Sequence, residues 1–222
     1  SHAEDVSRLF IGTDMGFFRW DEATARFTHL PSPMQDVWAI AIHPGKPSTI
    51  VAGTRPAALY RTDDAGTTWR KLVTPGLSQF STINMGPTRV TQVLFDPVTG
   101  GTLWATVEIG GIFRSDDGGE TWADCSAGLV SQDVHGIAVV RNAGGDKLLY
   151  ATTNQGLHRS DDNGATWVFQ RLDSPWQYTR AIVPSIADAG TLFLANGNGP
   201  PGNDGRLLRS TDCGATWQDA GL

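Results

Sequence analysis

Short apolar runs recur along this chain, and each is cut by a turn-forming cluster before it reaches helical length. Between Asp36 and Leu72, Val37–Ile42 is one such run, ended by His43-Pro44-Gly45-Lys46-Pro47. Thr49–Thr54 is a second, Arg55-Pro56-Ala57 turns the chain, Ala58–Arg61 is a third and Thr67–Leu72 a fourth. Runs of this length, bounded by Gly and Pro, are strands. No segment keeps an apolar stripe at helical period, so little or no helix is expected.

The same four-run plan recurs three times. One unit is Val90–Phe95, Leu103–Val107, Gly111–Arg114 and Thr121–Cys125. The next is Val134–Val139, Leu148–Thr152, Gly156–Arg159 and Thr166–Gln170. The last is Arg180–Pro184, Thr191–Ala195, Arg206–Arg209 and Thr216–Asp219. Near the N-terminus, Leu9–Thr13, Gly16–Trp20 and Arg26–Leu30 form a three-run unit.

Between the third and fourth runs of each full unit lies one signature, Ser/Thr-x-Asp-x-Gly-x-Thr-Trp. Its copies are Thr62–Trp69, Ser115–Trp122, Ser160–Trp167 and Ser210–Trp217, each preceded by an arginine. The central residues Asp64, Asp117, Asp162 and Asp212 are 53, 45 and 50 residues apart. Internal repeats at such a period mean stacked or radial modules. A four-stranded antiparallel module at this spacing is a β-propeller blade.

The expected fold is therefore all-β, with blades over about residues 8–30, 36–72, 89–126, 133–172 and 180–220 of a single propeller domain. Four blades are full and the first has three strands. The three-stranded start, and an end directly after a fourth strand, suggest a piece of a six- or seven-bladed propeller. A segment beyond Leu222, or a partner chain, would supply the ring-closing strand.

Each signature is expected to be a structural hairpin. The aspartate takes backbone N–H groups of its own loop, and the glycine permits positive φ. Trp69, Trp122, Trp167 and Trp217 re-enter a strand and plug the space beside the blade. Calcium binding there is disfavoured, because one acidic pair per hairpin falls short of the roughly six to eight oxygens that calcium takes.

These signatures resemble Asp-box (BNR) repeats, and the chain is similar to Asp-box β-propellers over about residues 8–222. That superfamily includes sialidases, xyloglucan-active glycoside hydrolases, sortilin-type receptor domains and photosystem-assembly factors. The form Gly156–Trp167 is nearest the last three. The resemblance implies that the Asp box is a fold element. The Phe/Tyr-Arg-Ile-Pro signature of sialidases is absent, so sialidase activity is not implied.

Composition narrows the functions. The chain has 222 residues, a net charge of −6 and only 18% charged residues, with 26 Gly and 12 Pro. No basic stripe marks a nucleic-acid binder. The apolar runs are too short to span a bilayer as helices. Cys125 and Cys213 fall in different repeats and are expected to be free thiols; such low usage leans toward a reducing, cytoplasmic setting. A signal peptide removed ahead of Ser1 would make the protein secreted or periplasmic instead.

Strand parity places the Asp boxes on the face opposite the blade connections. Those connections bring Asp36, Arg89, Asp133, His135, Trp176, Tyr178 and Arg180 to the other face. The turns between second and third strands add Asp14, Arg55, Glu108, Asn154 and Asn196. Thr74–Thr88, Asp173–Thr179 and Asn196–Gly205 are long, as functional loops often are.

Three functions compete. In a hydrolase of a carbohydrate or other small polar substrate, Asp36, Glu108 and Asp133 are the candidate acid and base carboxylates. His135 would carry a proton, and Arg55, Arg89 and Arg180 would hold an anionic group. In a binding or assembly platform, Trp176 and Tyr178 would stack on a sugar or peptide without turnover. The third reading resembles the calcium-dependent lactonase propellers, with Glu108, Asn154 and Asp14 as oxygen donors. No other cofactor or metal is implied. His43 and Asp96 are expected to form turns, and His158 to pack within its strand.

Overall fold

The computed structural model describes residues 8–77 and 86–221. The middle of the long Thr74–Thr88 connection lies outside them. The described residues form nineteen strands and no helix.

Each repeat is one antiparallel sheet whose strands follow chain order. Blade 1 holds β1 (Arg8–Thr13), β2 (Gly16–Asp21) and β3 (Arg26–Leu30). Blade 2 holds β4 (Asp36–Ile42), β5 (Ile50–Arg55), β6 (Leu59–Thr62) and β7 (Arg70–Lys71). Blade 3 holds β8 (Val90–Phe95), β9 (Leu103–Val107), β10 (Gly111–Ser115) and β11 (Ala123–Asp124). Blade 4 holds β12 (Val134–Arg141), β13 (Lys147–Thr153), β14 (Gly156–Ser160) and β15 (Val168–Gln170). Blade 5 holds β16 (Tyr178–Pro184), β17 (Leu192–Gly197), β18 (Gly205–Ser210) and β19 (Gln218–Asp219). Four four-stranded sheets and one of three strands match the sequence pattern.

The chain divides into two compact units. One comprises Ser1–Ala105 with Arg114–Ala123, the other Thr106–Phe113 with Asp124–Leu222. In the first, Phe17, Val37, Ile50 and Ala52 are buried between blades 1 and 2. A Cβ on Gly12 would sit 2.6 Å from Val37 Cγ1, and one on Gly53 would sit 2.4 Å from Val90 Cγ1. Only glycine lets the next blade's first strand approach so closely. In the second unit, Val140, Leu148, Leu157, Leu172, Ile182, Leu192 and Leu208 form the core between blades 4 and 5.

The Asp boxes lock this stacking. In every copy the first hydroxyl donates to Oδ1 of the aspartate, at 2.7 Å from Thr62 and 2.8 Å from Ser160. The same oxygen accepts the threonine N–H, and Oδ2 accepts its hydroxyl at 2.5–2.6 Å. These donors hold the carboxyls of Asp64, Asp162 and Asp212 at a pKa of about 2, and push that of Asp117 down in the same way. The box glycine has positive φ, as expected, and so does the residue before it: Ala65, Gly118, Asn163 and Cys213.

Three of the Asp-box tryptophans lean on the blade N-terminal to their own. Trp69 meets Phe17 edge-on at 4.9 Å. Trp167 is 3% exposed, and its indole N–H donates to the Cys125 carbonyl at 2.7 Å. Trp217 packs against the core between blades 4 and 5.

Candidate functional site

Contacts fix which turns share an end of each blade. Thr49 and Thr102, in turns between first and second strands, donate to Asp63 and Asp116 of the Asp boxes at 2.8 and 3.0 Å. At the opposite end, the Arg55 Nε–H donates to the Pro87 carbonyl at 3.1 Å, and the Asn154 N–H to the Asp133 carbonyl at 3.2 Å. The Asp boxes and the blade connections therefore lie at opposite ends.

At the connection end the first strands of blades 2, 4 and 5 share a feature not visible in the sequence. Each carries a β-bulge near its start. Trp38 is the extra residue between the Val37–Thr54 and Ala39–Gly53 pairs. His135 is the extra residue between Val134–Thr153 and Gly136–Thr152. In blade 5 the register shifts between Thr179 and Ile182, at Arg180 and Ala181. Bulges twist a strand locally and re-aim its side chains. Two residues before each extra residue stands a second polar group: Asp36, Asp133 and Tyr178.

In blades 4 and 5 these pairs are built. The Asp133 Oδ1 atom lies 3.5 Å from His135 Nε2. His135 is 9% exposed, and its Nδ1 lies 2.6 Å from the Thr179 carbonyl oxygen. A carbonyl only accepts, so Nδ1 carries the hydrogen and Nε2 faces the carboxylate. The Asp133 Oδ1 atom is shut off from water and has no hydrogen-bond donor. The Tyr178 ring lies 5.1 Å from the His135 ring, and Arg180 Nη1 donates to the Tyr178 hydroxyl at 3.2 Å.

Asn196 supports this group from below. It is 4% exposed; its amide donates to the Trp176 and Tyr178 carbonyls at 3.1 and 2.9 Å, and its oxygen accepts from Ser174 at 2.5 Å. Thr179 adds a two-way link to the backbone of Thr153. Arg206 lies over the Trp176 ring at 5.5 Å.

Elsewhere the predicted residues stand as follows. Glu108 sits in a turn whose Gly110 and Gly111 N–H groups donate to the Gln132 carbonyl, beside Asp133. Asn154 is exposed at the β13–β14 turn. In the other unit, Asp36 opposes Arg55 across β4 and β5. The Arg89 guanidinium lies 4.0 Å over the Trp38 ring. Asp14 is exposed at the β1–β2 turn. Trp38 was hidden in the sequence inside the apolar run Val37–Ile42. Its signal is the alignment of Asp36-Val37-Trp38 with Asp133-Val134-His135.

Among the described residues no three His, Cys, Asp or Glu side chains converge as a metal site. The remaining polar residues are structural. Asp96 accepts the Val98 and Thr99 N–H groups and the Trp104 indole N–H. His43 Nδ1 accepts the Gly45 N–H. His158 is fully buried and its Nε2 accepts the Val130 N–H at 3.2 Å; burial pushes its pKa down to about 4. Both cysteines are free thiols. Two open depressions of about 300 and 440 Å³ lie at the Asp box of blade 4, sharing Arg159, Asp161 and Asp162. Their charges are already spent on Arg159–Asp161 and on the hairpin's own hydroxyls.

The four hairpins and the meandering sheets define a β-propeller fold built on Asp-box hairpins. The family model described as "BNR/Asp-box repeat" matches residues 113–124. Over 135 residues the chain is 34% identical to the oligoxyloglucan-reducing end-specific xyloglucanase of Emericella nidulans, covering 53% of this chain and 16% of that protein. The GH74 enzyme of Niastella koreensis shares the fold with a TM-score of 0.75 at 20% identity, over 96% of this chain and 35% of that one. YCF48 bound to a D1 peptide aligns with a TM-score of 0.53 at 13% identity, over 96% and 77%. The chain thus spans about a sixth of its curated relative and a third of the GH74 structure. No helix among the described residues is long and apolar enough to cross a membrane, and neither fold nor relatives support a cytoplasmic location.

Proposed function

We propose that this chain belongs to a carbohydrate-active hydrolase of the xyloglucanase kind, with its ligand held at the connection end of the blades. The observation that carries this is the bulged cluster Asp133–His135–Tyr178–Arg180. It joins a carboxylate–imidazole pair to an aromatic ring and an exposed guanidinium, away from the Asp boxes. The likeness to xyloglucanases supplies the substrate class.

In this reading the pair gives its proton to the leaving glycosidic oxygen. Water then adds hydroxide to the anomeric carbon and returns a proton to the pair. Tyr178 and Trp176 present ring faces to the sugar, and Asn196 fixes their backbone. A second carboxylate is the usual partner in such chemistry, about 5–10 Å away. Glu108, in the turn tied to Gln132, is the candidate in the same unit.

The test combines calorimetric titration of the purified chain with a xyloglucan-derived oligosaccharide and a reducing-sugar assay. The reading expects binding, and turnover that falls at least about 100-fold in His135→Ala and Asp133→Asn. Absence of binding at millimolar oligosaccharide would overturn it. A second reading, binding without turnover, draws on one fact: Asp133 is paired with a histidine and not with another carboxylate. Binding with no released reducing ends in any preparation would select it.

A further inference from the structure

The bulge of blade 2 differs from those of blades 4 and 5. In blade 4 the residues flanking Val134 close on each other, with Asp133 and His135 3.5 Å apart, and in blade 5 Tyr178 and Arg180, flanking Thr179, do the same at 3.2 Å. In blade 2 the corresponding pair is Asp36 and Trp38, and it stays open. The Trp38 side chain is 45% exposed, although its neighbours Val37 and Ala39 are 5% and 7% exposed. Among the described residues the half-buried Asp36 carboxylate makes no hydrogen bond and no ion pair. The Arg89 guanidinium lies 4.0 Å over the Trp38 ring and holds it in place.

A bulge that lifts a large aromatic residue into solvent beside a partnerless acceptor calls for a ligand that meets both. We infer that Trp38 and Asp36 form a separate saccharide subsite, which takes a neutral pyranose ring. The C–H face of the sugar lies on the indole, which offers a large rigid apolar surface. A sugar hydroxyl donates to the Asp36 carboxylate. Arg89, stacked on the indole, keeps the ring oriented. The carboxylate at this position selects against an anionic sugar, since two like charges would face each other.

This inference rests on the carbohydrate reading above, and it concerns a site with its own residues. Calorimetric titration with a neutral xyloglucan-derived oligosaccharide would be run on the wild-type chain, Trp38→Ala, Trp38→Phe, Asp36→Asn and His135→Ala. Trp38→Ala is expected to weaken binding about tenfold or more. Trp38→Phe should recover part of that loss, with an unchanged thermal midpoint in both. Asp36→Asn should weaken binding less, because an amide oxygen still accepts. Wild-type affinity in Trp38→Ala, with His135→Ala impaired, would overturn the subsite and leave the carbohydrate reading standing. Failure of the wild-type chain to bind would overturn both. Tighter binding of a uronic-acid oligosaccharide than of the neutral one would also overturn the proposed ligand class.

Discussion

The two ends of the blades treat repetition in opposite ways. At one end, four Asp boxes repeat nearly the same residues and the same hydrogen bonds, down to hydroxyl contacts of 2.5–2.6 Å. At the other end, three bulges repeat the same backbone device but carry Trp38, His135 and Arg180. Constant residues on constant geometry serve the scaffold. Under the proposed function, varied residues on constant geometry are where the ligand is held. Changes at the Asp-box end should therefore move stability and leave binding alone, and changes at the bulges should do the reverse.

The largest effect should come from Trp167→Ala. It removes a tryptophan that is 3% exposed and leaves the Cys125 carbonyl without its donor. Chemical denaturation should show a loss of about 3–5 kcal/mol. Oligosaccharide affinity, measured where the variant is folded, should be unchanged. A weakened affinity there would break the comparison.

Acid comes next. His158 is buried neutral, with its pKa pushed below the usual 6.5 to about 4. The unfolded chain therefore takes up this proton first. The associated stability is fully present above pH 6.5 and is lost as the pH falls from there to about 4, to an extent of up to about 3 kcal/mol. Asp64, Asp162 and Asp212, at about 2, add a further loss in the same direction below about pH 4. Urea midpoints at pH 7, 5 and 4 check the first phase. His158→Gln should flatten the fall between pH 6.5 and 4 and leave the loss below it.

A smaller effect distinguishes a supporting residue from a surface one. Asn196→Ala should cost about 1–3 kcal/mol, because the Trp176 and Tyr178 carbonyls lose their donors. It should also weaken binding through the displaced aromatic residues. Arg180→Ala, at an exposed side chain, should stay within about 0.5 kcal/mol in stability and still weaken binding several-fold. Thermal midpoints and calorimetry on the same samples separate the two.

The sequence carried the scaffold well because hairpins and strands are local. The Asp-box residues close their bonds within four positions, so their spacing alone specifies them. Alternating turns then give the two ends by parity. The positive φ of Ala65 and Cys213 was not legible, since neither residue type favours it. The bulges were not legible either. A bulge is a mismatch between two strands, and neither strand's sequence contains it. Trp38 therefore passed for one more residue of an apolar run. Asn196 looked like a ligand residue because it is polar and sits near a long turn. Its burial, and the carbonyls it serves, depend on where residues 174–178 fold back.

One spectrum tests the central contrast most directly. The chain has eight tryptophans, and their indole N–H signals can be resolved in a nitrogen–proton correlation spectrum. On titration with a neutral xyloglucan-derived oligosaccharide, the signals of Trp38 and Trp176 should shift. Those of Trp69, Trp122, Trp167 and Trp217, in the Asp boxes, should stay in place. Shifts confined to the Asp-box tryptophans, with Trp38 and Trp176 unmoved, would contradict the division of labour between the two ends.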